Sequence, residues 1–169
     1  MLFIQAPPAA GQSEPPASTP VMDVVDFTKL LPILPGAPEG WTSEEAEGSS
    51  DDAGGFKLTS VHRDYRKGEG DNIPTTSISI LDSAANPEYV SATTAAWDFS
   101  GETAEGYTKS LKIDGNPAFE TFENEDKHGT LWVIVANRYL LQIETQLQDA
   151  KELQEWVKRI DLKKLSEVK

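Results

Sequence analysis

The chain of 169 residues carries 28 acidic against 15 basic side chains, a formal net charge of −13, 38% hydrophobic residues and no cysteine. That length suits one domain, and the missing thiols exclude disulfides, thiolate metal sites, iron–sulfur ligation and cysteine nucleophiles. A balance so negative, with no basic stripe, argues against nucleic acid and anionic membrane surfaces as partners.

From Gln5 to Pro20 the chain is almost entirely Ala, Pro, Ser, Gly and Gln. Such a segment cannot bury enough apolar surface to offset the entropy of ordering it. Residues 1–22 are therefore predicted to form a disordered tail, and 23–169 a single folded domain. Met-Leu-Phe-Ile-Gln is no signal peptide, having neither a basic n-region nor a long enough apolar run. No stretch reaches the roughly 18–20 apolar residues of a membrane span. A Pro/Ala/Ser spacer that starts abruptly is what remains of a lipoprotein once its signal and lipidated cysteine are removed. On that reading Met1 replaces natural upstream residues, and the only membrane link is an N-terminal lipid anchor outside this sequence. The alternative is the ragged N-terminus of a cytoplasmic protein.

Asp26, followed by apolar residues at helical spacing (Phe27, Leu30, Leu31, Leu34), predicts a capped helix kept short by Pro32 and Pro35. Trp41 follows a Pro/Gly turn and starts a short strand or an extended anchor. Glu44 to Asp52 reads as an acidic loop. Phe56–Arg66 and Ile73–Leu81 read as an antiparallel hairpin; in the second, Ile78 and Ile80 alternate with Ser77 and Ser79. Asn86-Pro87-Glu88 starts a helix that runs to about Trp97. Four strands follow at Tyr107–Ile113, Ala118–Glu123, Thr130–Ala136 and Arg138–Thr145, with connections short enough to demand antiparallel neighbours. Leu131 to Val135 is apolar on both faces, which places it centrally. Asp149 and Glu152 resemble a capping box, and Leu153, Trp156, Val157 and Ile160 form one apolar stripe of a last helix. Asp161 to Leu165 adds a terminal turn. The order predicts an α+β domain: an antiparallel sheet of six to seven strands with helices packed on both faces.

Chemistry-bearing residues are few. His62 lies mid-strand and would need a nucleophile or orienting acid to act as a base; His128 sits at a hairpin tip. Two histidines without cysteine make a zinc site improbable. Asn124 to Gly129 echoes a calcium loop, but His128 occupies a ligand position and Val135 the place of the bidentate acid. Glu44, Glu45, Glu47, Asp51 and Asp52 form the run that would hold a cation, against the plainer reading of a solvated acidic loop. No serine-hydrolase elbow, Walker loop or dinucleotide fingerprint occurs, so no cofactor is expected. Trp41 and Trp97 complete the candidate ligand residues with His62, aromatic rings being able to line clefts as well as cores.

Two segments carry a likeness. LLPILPGAPEGW (Leu30–Trp41) and YTKSLKIDGNPAFETF (Tyr107–Phe122) resemble an uncharacterised family of small bacterial and archaeal extracytoplasmic proteins. The second segment, a strand, an Asp-Gly-Asn-Pro turn and a strand, is also similar to DcrB and PsbP-like domains. That resemblance implies an antiparallel sheet between helices in a secreted or lipid-anchored protein, and it transfers no catalytic residue. The expectation is a non-enzymatic, envelope-tethered binding module. Its alternatives are a domain binding a small molecule or divalent cation, and a hydrolase built on His62.

Overall fold

The computed structural model describes residues 22–53, 56–84 and 87–169, so of the predicted tail only Met22 falls within it. Asp26 Oδ1 accepts from the Thr28 N–H at 2.9 Å and caps a one-turn helix α1 (Phe27–Leu30), which tightens to a 3-10 turn at Leu31–Ile33 where Pro32 lacks a donor. The strands are β1 (Thr42–Ser43), β2 (Glu47–Ala53), β3 (Phe56–Arg66), β4 (Thr75–Asp82), β5 (Gly101–Glu102), β6 (Gly106–Ile113), β7 (Asn116–Glu123), β8 (His128–Val135) and β9 (Tyr139–Gln146). Helix α2 (Pro87–Ala95) precedes β5, and α3 (Lys151–Val157) and α4 (Leu162–Glu167) end the chain.

The strands form one open antiparallel sheet in the order β1–β3–β4–β9–β8–β7–β6–β5, with β2 paired to β3 on the flank that β1 also occupies. Two meanders result, one from each half of the chain, and they meet where β4 pairs with β9. Turn chemistry sets the registers. Asp114 (φ 48°) and Gly115 (φ 79°) close β6 onto β7, with Ile113 opposite Asn116, as their Asp-Gly sequence requires. Ala136 (φ 54°) and Asn137 (φ 52°) turn β8 back onto β9 through a three-residue connection, with Val135 opposite Tyr139.

Because successive side chains alternate, this register sorts the sheet into two faces. Val61, Ile80, Leu141, Val133 and Ala118 form one lateral row, and Ile78, Ile143 and Leu131 another. On this covered face they join Leu30 of α1, Leu153 and Trp156 of α3 and Leu165 of α4 in the main core. Each such aliphatic side chain contributes about 1.5–3 kcal/mol by leaving water. Gly129 marks where α3 comes closest: a Cβ there would lie 2.8 Å from Leu153 Cδ1. Val90 of α2 and Trp97 form a second, smaller cluster with Phe119 and Ile134.

Two buried carboxylates are matched, whereas Arg63 Nε and Ser83 Oγ are buried without a partner. Asp82, fully buried, takes both Nε and Nη2 of Arg138 at 2.9 Å and the Val25 N–H at 2.7 Å, which fixes where the N-terminal segment enters the domain. Buried Glu120 accepts from Tyr107 Oη at 2.5 Å, Gln154 Nε2 at 2.6 Å and Lys109 Nζ at 3.0 Å. Burial, reinforced by that bond to Glu120, pushes the Tyr107 phenol up.

The α+β antiparallel sheet is as the sequence indicates, but the described residues form nine strands. β1 is the short strand expected after Trp41, and the two-residue strand β5 accounts for part of the excess. The larger departure is β2: the segment read as an acidic loop is extended and pairs with β3 from Glu47↔His62 to Ala53↔Phe56. At the start of α3, Asp149 gives its carboxylate to Lys127 Nζ (3.0 Å), which holds its pKa below the ordinary range; no side chain caps that helix. Asp161 instead caps α4, accepting from the Lys164 N–H at 2.8 Å. Asn86, predicted to cap α2, lies outside the described residues.

Candidate functional site

The second face of the sheet has a different character. Across β3, β4, β9, β8 and β7 its side chains run Asp64, Ser77, Glu144, Thr130, Thr121 in one row, and His62, Ser79, Gln142, Trp132, Phe119 in the next. The apolar end of the second row, Trp132 and Phe119, belongs to the Trp97 cluster. Elsewhere the rows are hydroxyls, an amide and carboxylates, and on β3, β4 and β9 they stay partly exposed.

Short hydroxyl side chains in β4 explain why this half stays open. Ser77 and Ser79 present little apolar area, so no helix gains by covering them, whereas Ile78 and Ile80 on the reverse side are fully buried. Among the described residues, Asp64, Ser77, Ser79, Gln142 and Thr130 make no side-chain hydrogen bond or ion pair. Their capacity contrasts with the bonded carboxylates of the covered face. Thr130 is the most enclosed of them as a residue, at 6% exposed.

Both histidines stand on this face, each beside a glutamate. His62 Nε2 lies 3.6 Å from Glu47 Oε2, and His128 Nε2 lies 2.9 Å from Glu144 Oε1. At the end where the Lys67–Pro74 loop joins β3 to β4, a cleft of about 400 Å³ opens over Asp64, Ser77 and Glu144, with Asp71 and Ile73 of the loop along one side. A neighbouring depression of about 440 Å³ shares Asp71, Ile73 and Glu144 and reaches His128 and Asp126.

The predicted ligand residues are not brought together. Trp41 stands edge-on to Trp156 at 5.1 Å between ring centroids and packs against the main core. Trp97, buried, stacks on Phe119 at 6.1 Å. His62 alone lies on the open face. The acids proposed as a cation loop are strung along β2 and its approach. Glu44 bonds Arg66 Nη2 at 2.6 Å, Glu47 faces His62, Asp51 accepts from Ser49 Oγ at 3.1 Å, and Glu45 and Asp52 point into solvent. An extended strand alternates its carboxylates between faces and cannot converge them on one point. Among the described residues no group of three or more His, Asp or Glu is placed to hold a metal ion. In the segment that echoes a calcium loop, Asn124 is committed to Ala104 O at 3.1 Å and Lys127 to Asp149.

Asp64, Ser77, Glu144, Thr130 and Gln142 were invisible as a group because their neighbourhood depends on β4 meeting β9. The alternation of Ser77 and Ser79 with Ile78 and Ile80 was the one signal that a polar face exists. No family model matches the chain, and neither a curated protein nor a solved structure does. No helix among the described residues is long and apolar enough to cross a membrane.

Proposed function

We propose that the domain is a non-enzymatic binding module whose ligand lies on the open face of the sheet, over the β3–β4–β9 cleft. The observation that carries this reading is the set of half-buried hydroxyl, amide and carboxylate side chains there that no protein group satisfies. Polar groups so placed are matched by solvent or by a ligand. Neither histidine has a hydroxyl or thiol nucleophile bonded to it among the described residues, which favours binding over hydrolysis by His62.

The Pro/Ala/Ser composition of residues 5–20 supports an envelope tether outside the cytoplasm, leaving the domain beside Val25. Recovery of the full-length native protein in the cytosolic fraction would sink the tether. Kinship with DcrB and PsbP-like domains belongs to the same proposal, resting on the Tyr107–Phe122 hairpin and its Asp114-Gly115 turn. So does a sheet with helices on both sides, for which the support is the cluster that joins Val90 of α2 to Phe119 and Ile134.

A thermal-shift screen of small ligands against the wild type and Ser77→Tyr tests the site. Tyrosine suits a strand and fills the cleft. The expected result is a ligand that raises the wild-type Tm by mass action and leaves Ser77→Tyr unmoved. Ligands that stabilise both chains equally would remove the open face from consideration.

A further inference from the structure

We propose that the tip of the β6–β7 hairpin is a self-modification site, where Asp114 isomerises to isoaspartate and so becomes a substrate for an isoaspartyl carboxyl methyltransferase. The inference is independent of the binding role given above. Asp114-Gly115 is the one Asp-Gly step in the sequence, and no Asn-Gly occurs. Both residues are exposed, and a Cβ built on Gly115 would meet nothing within 4 Å. The Asp114 carboxylate has no partner among the described residues. Because the ladder pairs Ile113 with Asn116, the Gly115 N–H lies outside it and donates to no backbone carbonyl among the described residues. A free carboxyl group therefore stands next in the chain to a free amide nitrogen that no side chain screens.

The reaction needs only water. The Gly115 nitrogen attacks Asp114 Cγ of the protonated carboxyl group; a Cγ–N bond forms, the Cγ–OH bond breaks, and the hydroxyl leaves with the amide proton as water. The product is a five-membered succinimide. Water then adds to one of its two carbonyls. Opening at Cγ restores aspartate, whereas opening at the main-chain carbonyl breaks the original peptide bond and leaves the chain running through Cγ. Nothing is oxidised or reduced, and the isomer keeps the mass of the parent. Its main-chain carbon now carries the free carboxylate, which the methyltransferase esterifies with a methyl group from S-adenosylmethionine.

Other acidic positions are closed to this path. Asp82 and Asp149 also precede small residues, Ser83 and Ala150. The Asp82 carboxylate, however, is buried and held by Arg138 and by the Val25 and Ala84 N–H groups, and that of Asp149 is held by Lys127 Nζ at 3.0 Å. Asn116 cannot follow because Pro117 has no N–H to attack with. At Asp51, Asp71 and Asp126 a larger side chain comes next and screens the nitrogen. Isomerisation adds one carbon to the main chain of a two-residue turn, and so loosens the register that sets Lys109 opposite Glu120.

Prolonged incubation of the full chain at neutral pH and physiological temperature tests the proposal, with an isoaspartyl carboxyl methyltransferase and labelled S-adenosylmethionine as the probe. Label is expected to accumulate with time, at a rate of the same order as in the free peptide Lys-Ile-Asp-Gly-Asn-Pro-Ala, and electron-transfer fragmentation should place the isomer at Asp114. Asp114→Glu, whose ring would be six-membered and closes far more slowly, should lose the label. Asp114→Asn suits the left-handed turn and expels ammonia in place of water, so it should gain label faster than the wild type. A folded chain that stays unlabelled while the peptide reacts would overturn the site. So would label that survives in Asp114→Glu, or that spreads evenly over Asp51, Asp71 and Asp126. A folded Asp114→Asn that labels no faster than the wild type would overturn it too, whether or not Asp114→Glu folds. Arg138→Ala, whose lost bonds are to Asp82 and Asp23 and not to the turn, should label at the wild-type rate. Faster labelling there would mean that the reaction runs through the unfolded chain, and the folded turn would no longer be its seat.

Discussion

Arg138→Ala cuts the most deeply set ion pair among the described residues. Asp82 is fully buried and accepts from Arg138 Nε and Nη2 at 2.9 Å each, the Val25 N–H at 2.7 Å and the Ala84 N–H at 3.1 Å. Without the guanidinium, the carboxylate keeps two amide donors and loses its counter-charge. Deleting one partner of a buried pair costs about 3–5 kcal/mol, and the surviving amide bonds favour the lower figure. Against a total stability of about 5–15 kcal/mol, that is a large share. With a urea dependence of roughly 1–3 kcal/mol per molar, a loss of about 3 kcal/mol should lower the unfolding midpoint by about 1–3 M. The same guanidinium donates to Asp23 O at 2.9 Å, so proteolysis near Asp23–Val25 should also quicken. Asp82→Leu combined with Arg138→Met removes both charges and should lie nearer the wild type than Arg138→Ala, although two N–H groups lose their acceptor. Lys158→Ala, which breaks an exposed, solvent-screened pair with Glu155 at 2.7 Å, is the reference and should leave the midpoint nearly unchanged. A midpoint shift in Arg138→Ala no larger than that reference would refute the reasoning.

Three further outcomes are expected. Gly129→Ala places a methyl 2.8 Å from Leu153 Cδ1 and 3.0 Å from Phe122 Cδ2, which should cost about 1–3 kcal/mol in denaturant unfolding; in a Leu153→Ala background the cost should shrink. Ala136→Asn with Asn137→Gly installs the residues that the left-handed β8–β9 turn favours and should add about 1 kcal/mol; a loss of stability would contradict the turn geometry. Burial pushes the Tyr65 phenol up to about 12, and the Tyr139 phenol is raised by the same cause. The fold therefore favours the neutral phenols. Their contribution is whole below the unfolded value of about 10 and falls as pH rises from about 10 to 12, by at most ~1.4 kcal/mol per pH unit for each tyrosine. Urea midpoints measured across that range should decline, and less steeply in Tyr65→Phe.

What could be read from the sequence was local. β3, β4 and β6 to β9 announce themselves by alternation, the Asp114-Gly115 turn by its residues, and the α3 stripe by spacing: Leu153, Trp156, Val157 and Ile160 are all buried. β2 was hidden because Glu-Gly-Ser-Ser-Asp-Asp-Ala holds no β-branched or aromatic residue. It is an edge strand with a largely solvated surface, and its extension is imposed by pairing with β3 rather than by its own preference. Where Phe27 of α1 lies on it, the residue beneath is Gly48, whose absent Cβ would sit 2.6 Å from the ring. Asp149 looked like a cap because nothing local shows that Lys127, 22 residues earlier, reaches it. The open face was unreadable for the same reason, since its members come from strands far apart in the chain.

The join between the two meanders has a consequence for how the molecule comes together. Every other neighbouring pair of long strands is closed by a short connection, while β4 and β9 are bridged by the 56 residues between Asp82 and Tyr139. Each half can zip from its own turns, but closing so long a loop costs chain entropy before its contacts repay it. The row that is central in space is therefore expected to be last in time, with φ-values near zero at Ile78 and Ile143 and higher at Phe119 and Val133; the reverse order would place the nucleus at the seam. The polar cleft, which straddles that seam, exists only once both halves have met.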